Sequence, residues 1–215
     1  MTVRWRRWSL IVLIVALVGL VVASRGLQGP LARAVGWVLV VDDPVSRADV
    51  IVVPVWAGAE AAIDAADLVH NGIAGRVAVL PALSTPAEQE LSRRGIPFQD
   101  ETADLVELLH GLGVSTVDVT PNPITGTTSE GDVLPGWCEQ QQIHSIVVLS
   151  TPDHSRRVRR VLRRAFRGRS TTVAIRSARF SSFDPDRWWD TRDSLRTGIV
   201  EVQKLLLDVA LHPLS

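Results

Sequence analysis

Apolar residues recur along this chain in two rhythms, and the alternation between them predicts the architecture. Short runs rich in β-branched residues read as strands covered on both faces: "ADVIVVPV" (Ala48 to Val55), "RVAVLPA" from Arg76, "STVDVT" from Ser115, "IHSIVVLS" from Ile143 and "TTVAIRS" from Thr171. Between them apolar positions fall at helical spacing. "GAEAAIDAADLVHNG" places Ile63, Ala66 and Val69 or His70 on one side and ends at Gly72. "STPAEQELSRRG" offers Ser84 or Thr85 as an N-cap, Pro86 in the first turn and Gly95 as a stop. Further helices are expected over about Asp100–Leu112, after "TTSEGD", through the arginine-rich stretch after Ser150, and over about Asp190–Leu211. Strands alternating with helices predict an α/β fold: a Rossmann-like three-layer sandwich with a mainly parallel sheet.

The amino terminus breaks this rhythm. "MTVRWRRW" carries Arg4, Arg6 and Arg7, and the following residues are uncharged through Ser24. A membrane-crossing helix needs about 20 apolar residues, with a lower limit near 17, so Trp8–Ser24 lies at the short edge of that range. Trp5 and Trp8 stand where interfacial aromatics belong, and arginines ahead of the run favour a cytoplasmic amino end. Val22, Ala23 and Ser24 would also suit a cleaved signal peptide. The preferred expectation is a retained anchor. Residues 1–25 then form an N-terminal transmembrane helix, 26–47 a connector with a short helix through "LARAVGWVLV", and 48–215 the α/β domain, held at the cell membrane and facing outward.

Composition narrows the chemistry. Lys plus Arg and Asp plus Glu both number 23, so no global field draws the chain to nucleic acid. Cys138 is alone, which rules out an intrachain disulfide, and no Cys/His cluster has the spacing of a zinc site. The turn "PVWAGAE" has a single glycine, Gly58, where a dinucleotide cradle needs several, so NAD and FAD are disfavoured. The phosphate-cradling run of P-loop enzymes is absent too.

In an open parallel sheet, ligands sit outside the carboxyl ends of the strands. The candidate loops are therefore Val55–Glu60, Pro81–Glu88, Thr120–Glu130 and Ser150–Arg157. In "TPNPITGTTSEGD", Gly126 permits unusual backbone angles, Thr127, Thr128 and Ser129 supply hydroxyls and Glu130 a carboxylate. Simple helix capping would explain the same residues. In "IVVLSTPDH", His154 falls near a helix start, placed to act as acid or base. Val158, Val161, Leu162, Ala165 and Phe166 make that helix's apolar stripe. Arg159, Arg160, Arg163, Arg164 and Arg167 fall mostly off it and read as a solvated face. Arg156 and Arg157 share a turn with His154, and their planar forks suit phosphate or carboxylate. Trp188 and Trp189 read as packing residues, and Glu201 with Lys204 as an ordinary ion pair on a helix.

"ADVIVV", "AADLVHNGIAGRVAVL", "TTSEGD", "IVVLSTPDHSRRVRRVLRRAF" and "DPDRWWDTRDSLRTGIVEVQKLLLDVAL" fall in an order that resembles the YdcF-like family, which includes SanA and ElyC types. The resemblance covers about Ala48–Leu211. It implies a Rossmann-like domain behind one membrane helix, a link to envelope integrity and peptidoglycan or envelope-polysaccharide metabolism, and nucleotide-type ligands such as S-adenosylmethionine. Carried over, Thr128 and Glu130 match the family's Thr/Glu loop, and His154 and Arg157 its His/Arg turn. The chain departs from the family at the glycine-rich turn after the first strand, where Gly58 is the nearest counterpart, and at the end of the second strand, "LPALSTP".

The expected site thus has Glu130 and His154 as an acid/base pair, with Gly58, Thr127, Thr128, Arg156 and Arg157 binding an anionic, phosphate-bearing ligand. The expected function is a membrane-anchored envelope hydrolase or transferase acting on a cell-wall or lipid-linked intermediate. Two alternatives stand beside it: a non-catalytic membrane-anchored regulator or scaffold with a degenerate pocket, and a cytoplasm-facing enzyme that binds a methyl donor. The expected site requires the Thr128 turn and the His154 turn to converge on one cleft.

Overall fold

The computed structural model describes residues 28–213. Five parallel strands form one sheet: β1 (Val50–Pro54), β2 (Val77–Leu80), β3 (Val117–Val119), β4 (Ser145–Ser150) and β5 (Thr172–Ser177), in the spatial order β3-β2-β1-β4-β5. The helices are α1 (Gln28–Leu39), α2 (Gly58–His70), α3 (Pro86–Arg93), α4 (Glu101–Gly111), α5 (Thr127–Gln140), α6 (Pro152–Ala165) and α7 (Arg192–Leu211), with a single 3-10 turn at Val55–Ala57. The fold is α/β with an all-parallel sheet, consistent with the Rossmann-like expectation. The expected transmembrane helix lies outside the described residues. Among those that are described, no helix is long and apolar enough to cross a membrane.

Strand pleating sorts the aliphatic runs into two cores. Val50 and Val52 of β1 join Ala78, Leu80, Ile146 and Val148 beneath α5 and α6. Ile51 and Val53 point the other way, with Val77, Val79, Val147 and Leu149, against α2 and α4. Alternate side chains of a strand face opposite sides, so a continuous apolar run is what a sheet buried on both faces demands.

Residues 26–47, expected as a connector, belong to the fold from residue 28 onward. Leu39 and Val41 are buried, the Asp43 amide donates to Ile175 O at 2.8 Å, and Ser177 Oγ donates to Val41 O at 2.8 Å. The helix α1 packs beside α7 over α6, and Trp188 is the wedge between them. Its indole Nε1 donates to Ala32 O at 2.7 Å. A Cβ on Gly36 would lie 2.3 Å from Pro185 O and 2.7 Å from Trp188 Cδ1, and one on Gly198 would lie 2.3 Å from Trp188 Cε3, so both helices need glycine where the Pro185–Trp188 segment presses on them.

The arginines of α6 are largely not a solvated face. Arg159 pairs with Asp43 at 2.8 Å, while Arg160 and Arg164 converge on Asp208 of α7 at 2.6 and 2.5 Å. Positive charge is concentrated here because α6 is the helix over which α1 and α7 are clasped.

Candidate functional site

All five strands are parallel, but the order in which the chain adds them reverses between β1 and β4, and loops leaving those two strands part to leave a crevice at their carboxyl ends. Thr120–Gly126 closes one side. Its Ile124 amide donates to Pro81 O, and its Ile124 carbonyl accepts from Leu83 N–H, both at 2.8 Å, which fastens the loop to the end of β2. Gly126, at φ 149° and ψ −174°, then turns the chain into α5 in a region open essentially to glycine alone. Ser129 Oγ accepts from the Thr125 and Gly126 amides at 2.8 and 3.1 Å and so fixes the turn that aims Thr127 inward.

On the opposite side, Pro152 begins α6 and places His154 in its first turn. His154 Nε2 meets Thr127 Oγ1 at 2.7 Å, and Nδ1 meets Glu201 Oε2 of α7 at 2.9 Å. Glu201 also accepts from Lys204 Nζ at 2.6 Å and from Arg157 Nε at 3.1 Å. Burial works to raise the Glu201 pKa, but hydrogen bonds from His154, Lys204 and Arg157 prevail and bring it down to about 2. A carboxylate so held is an acceptor only, so Nδ1 carries the proton and Nε2 offers its lone pair to the threonine hydroxyl. Arg157 Nη2 stands 2.8 Å from Nδ1 and 3.2 Å from Nε2. An atom that near to both nitrogens at once is off the outward lone-pair direction of either, so we read it as a charge beside the ring. Burial, joined by that guanidinium and opposed by Glu201, holds the His154 pKa below its ordinary value. The imidazole is therefore neutral at neutral pH.

Trp56, in the 3-10 turn after β1, forms the wall behind His154. The two rings meet edge to face with centroids 4.5 Å apart, and the indole Nε1 donates to Glu130 Oε1 at 2.8 Å. Glu130 is wholly buried below it, its Oε2 without a partner, and burial lifts its pKa to about 7 against the lowering pull of Trp56 and Arg157. The cleft above Thr127 and His154 encloses about 870 Å³. Residues at the starts of α3, α5 and α6 line it, and helix starts present N–H groups without helical partners, a setting that suits an anion.

The expected convergence of the two polar turns is present, with three changes of cast. Glu130 does not face His154; it lies sealed under Trp56, and the carboxylate on the imidazole is Glu201. Arg156 does not reach the cleft: its Nε and Nη2 donate to the carbonyls of Val38 and Val40 at 2.8 and 3.0 Å, ending α1, whose last carbonyls need donors. Gly58 opens α2 at φ +64° and is absent from the cleft lining, so its part is conformational. Thr127 is the hydroxyl on His154, whereas Thr128 is exposed at the cleft edge, and Arg157 is in the cleft wall as expected. Sequence reasoning missed Trp56, Glu201 and Lys204. The signal for Trp56 was a tryptophan immediately after the first strand. Glu201 and Lys204 looked like a plain helical ion pair, since nothing local reveals that α7 folds back across α6.

No family model and no curated protein sequence matches the chain. Among solved structures, that of a mycobacterial quinone oxidoreductase is similar at 15% identity and a TM-score of 0.31, covering 68% of this chain and 43% of the other. Among the described residues no cluster of His, Cys, Asp and Glu could hold a metal ion. Cys138 is buried, and burial pushes its thiol up to about 12, so it is no nucleophile.

Proposed function

We propose that this chain is a membrane-anchored hydrolase or transferase that takes an anionic, phosphate-bearing ligand into the cleft, in envelope metabolism of the kind the YdcF-like resemblance implies. The observation that carries the reading is the Thr127–His154–Glu201 chain of hydrogen bonds, with nucleophile, base and orienting carboxylate in the relation that activates a hydroxyl. His154 Nε2 takes the Thr127 proton as Oγ1 attacks the phosphorus. The bond to the leaving oxygen breaks, and the imidazolium returns that proton to it. Glu201 stabilises the imidazolium meanwhile. Water or an acceptor hydroxyl then releases the phosphoryl group by the reverse proton path. The first-turn amides of α5 and the Lys204 ammonium at the rim are the groups that would hold the charge of the phosphate.

Two observations favour the second reading, a non-catalytic scaffold: Thr127 is only 3% exposed, and Arg157 already serves Glu201. The full-length protein decides between them when screened with nucleotides, undecaprenyl-type phosphates, S-adenosylmethionine and an activated aryl phosphate. Thermal stabilisation by a phosphate-bearing compound, with phosphoryl transfer to Thr127 seen by mass spectrometry and lost in Thr127→Val and His154→Ala, is the expected result. Stabilisation without any transfer supports the scaffold. A cleft that binds none of them removes the phosphate site and leaves the scaffold reading standing.

A further inference from the structure

We infer that α1 and α7 together form a face that lies on the surface of the lipid bilayer, so that the domain rests on the membrane instead of standing off it. Along α1, Leu31, Val35 and Val38 are exposed at spacings of four and three and make one stripe. Along α7, Leu195, Ile199 and Leu206 make a second, and Val200, Leu207 and Leu211 widen it. Both helices turn their other side to α6, so the stripes face away from the domain together. Patches of large exposed apolar side chains this continuous mark an interaction surface.

Charge selects lipid as the occupant. Two of the three acidic residues of α7, Glu201 and Asp208, point inward with side chains only 7% and 10% exposed. Arg192 and Arg196 lie on the outer side with Leu195 and Ile199. An apolar face edged by arginine is the pattern of a helix lying in an anionic interface, sunk by about 5–10 Å. Trp37, half exposed at the end of α1, donates its indole N–H to Asp186 at 2.9 Å, and Arg33 pairs with that carboxylate at 3.0 Å, so the acid is balanced while the ring face suits the headgroup level.

Chain length supplies the tether. The uncharged run ends at Ser24, and α1 is described from Gln28, four residues on. Four residues reach at most about 14 Å even when fully extended. Because α1 is packed into the domain by Leu39 and Trp188, that short reach is all that separates the domain from the end of the uncharged run. The inference rests on Trp8–Ser24 entering the bilayer and is independent of the chemistry proposed for the cleft.

The test uses full-length protein in vesicles containing an anionic lipid. Spin labels are placed one at a time at Val35→Cys, Leu206→Cys and, on the far side of the sheet, Glu107→Cys; Cys138 is buried and stays unlabelled. Labels at 35 and 206 should be several-fold more accessible to dissolved oxygen than to a water-soluble nickel complex, and the label at 107 should show the reverse. Water-accessible labels at 35 and 206 in protein that survives a carbonate wash would overturn the face while keeping the anchor. Labels shielded from both reagents would point to a second copy or to the chain's own apolar segment and would equally overturn it. Release of the protein by carbonate would remove the premise.

Discussion

Glu130 carries a burial cost that its contacts do not balance. Its carboxyl is fully buried with one hydrogen bond, from Trp56, and its pKa stands at about 7 against an ordinary 4.5. The folded state therefore binds this proton more tightly than the unfolded one. The stability it brings is complete below pH 4.5, shrinks as the pH rises and is gone beyond about 7. The difference corresponds to about 3 kcal/mol. Glu130→Gln keeps the indole hydrogen bond and cannot ionise. Its melting temperature should match wild type near pH 4, exceed it increasingly as the pH rises from 4.5 to about 7, and stay above it by a constant margin beyond that; parallel curves in a melting series from pH 4 to 7 would refute this. Glu201 acts in the opposite sense. Its folded pKa is depressed to about 2, so its contribution is present above 4.5 and lost as the pH falls towards 2. The two acids together place the stability optimum between those limits. Neither environment was legible in the sequence: Glu130 was visible as a carboxylate in a polar loop, but its burial comes from Trp56 closing over it.

At the scale of elements, α7 meets its neighbours through a glycine and through arginine pairs. Gly198 admits the Trp188 ring, and its Cβ substitute would fall 2.3 Å from Cε3. Gly198→Ala should cost about 1–3 kcal/mol of stability by overpacking. Gly136 in α5 has open space around it, and Gly136→Ala should leave stability equal or raised by up to about 1 kcal/mol. Chemical denaturation of the two variants checks the contrast, and equal losses would mean the ring is not what constrains Gly198. Element existence was readable: each strand lies within its apolar run, α2 and α3 start or stop within a few residues of their capping signals, and α4 and α7 fall within their expected spans. What the pattern could not give was partnership. The arginines of α6 are polar by type and so look solvated, yet Asp43 and Asp208, which claim three of them, lie over a hundred and over forty residues away.

For the whole molecule, the boundary of the domain moves. Residues 28–47 were expected to connect and instead complete the fold, because Leu39 and Val41 bury themselves and segment 41–43 runs along β5. A chain beginning at residue 48 should melt well below one beginning at residue 28, or aggregate on expression; equal melting temperatures would return α1 to the status of a linker. Deleting a buried leucine side chain alone costs about 2–5 kcal/mol, so losing the entire segment is a large fraction of a typical domain's stability. The Trp188 wedge has a mechanical corollary. A bulky ring keyed into two glycine notches stops α1 and α7 from sliding past each other, and α7 is the arm that brings Glu201 to His154. A pull on the amino end of α1 would pass through that key to the imidazole, which makes the spacing of the relay sensitive to any displacement of α1.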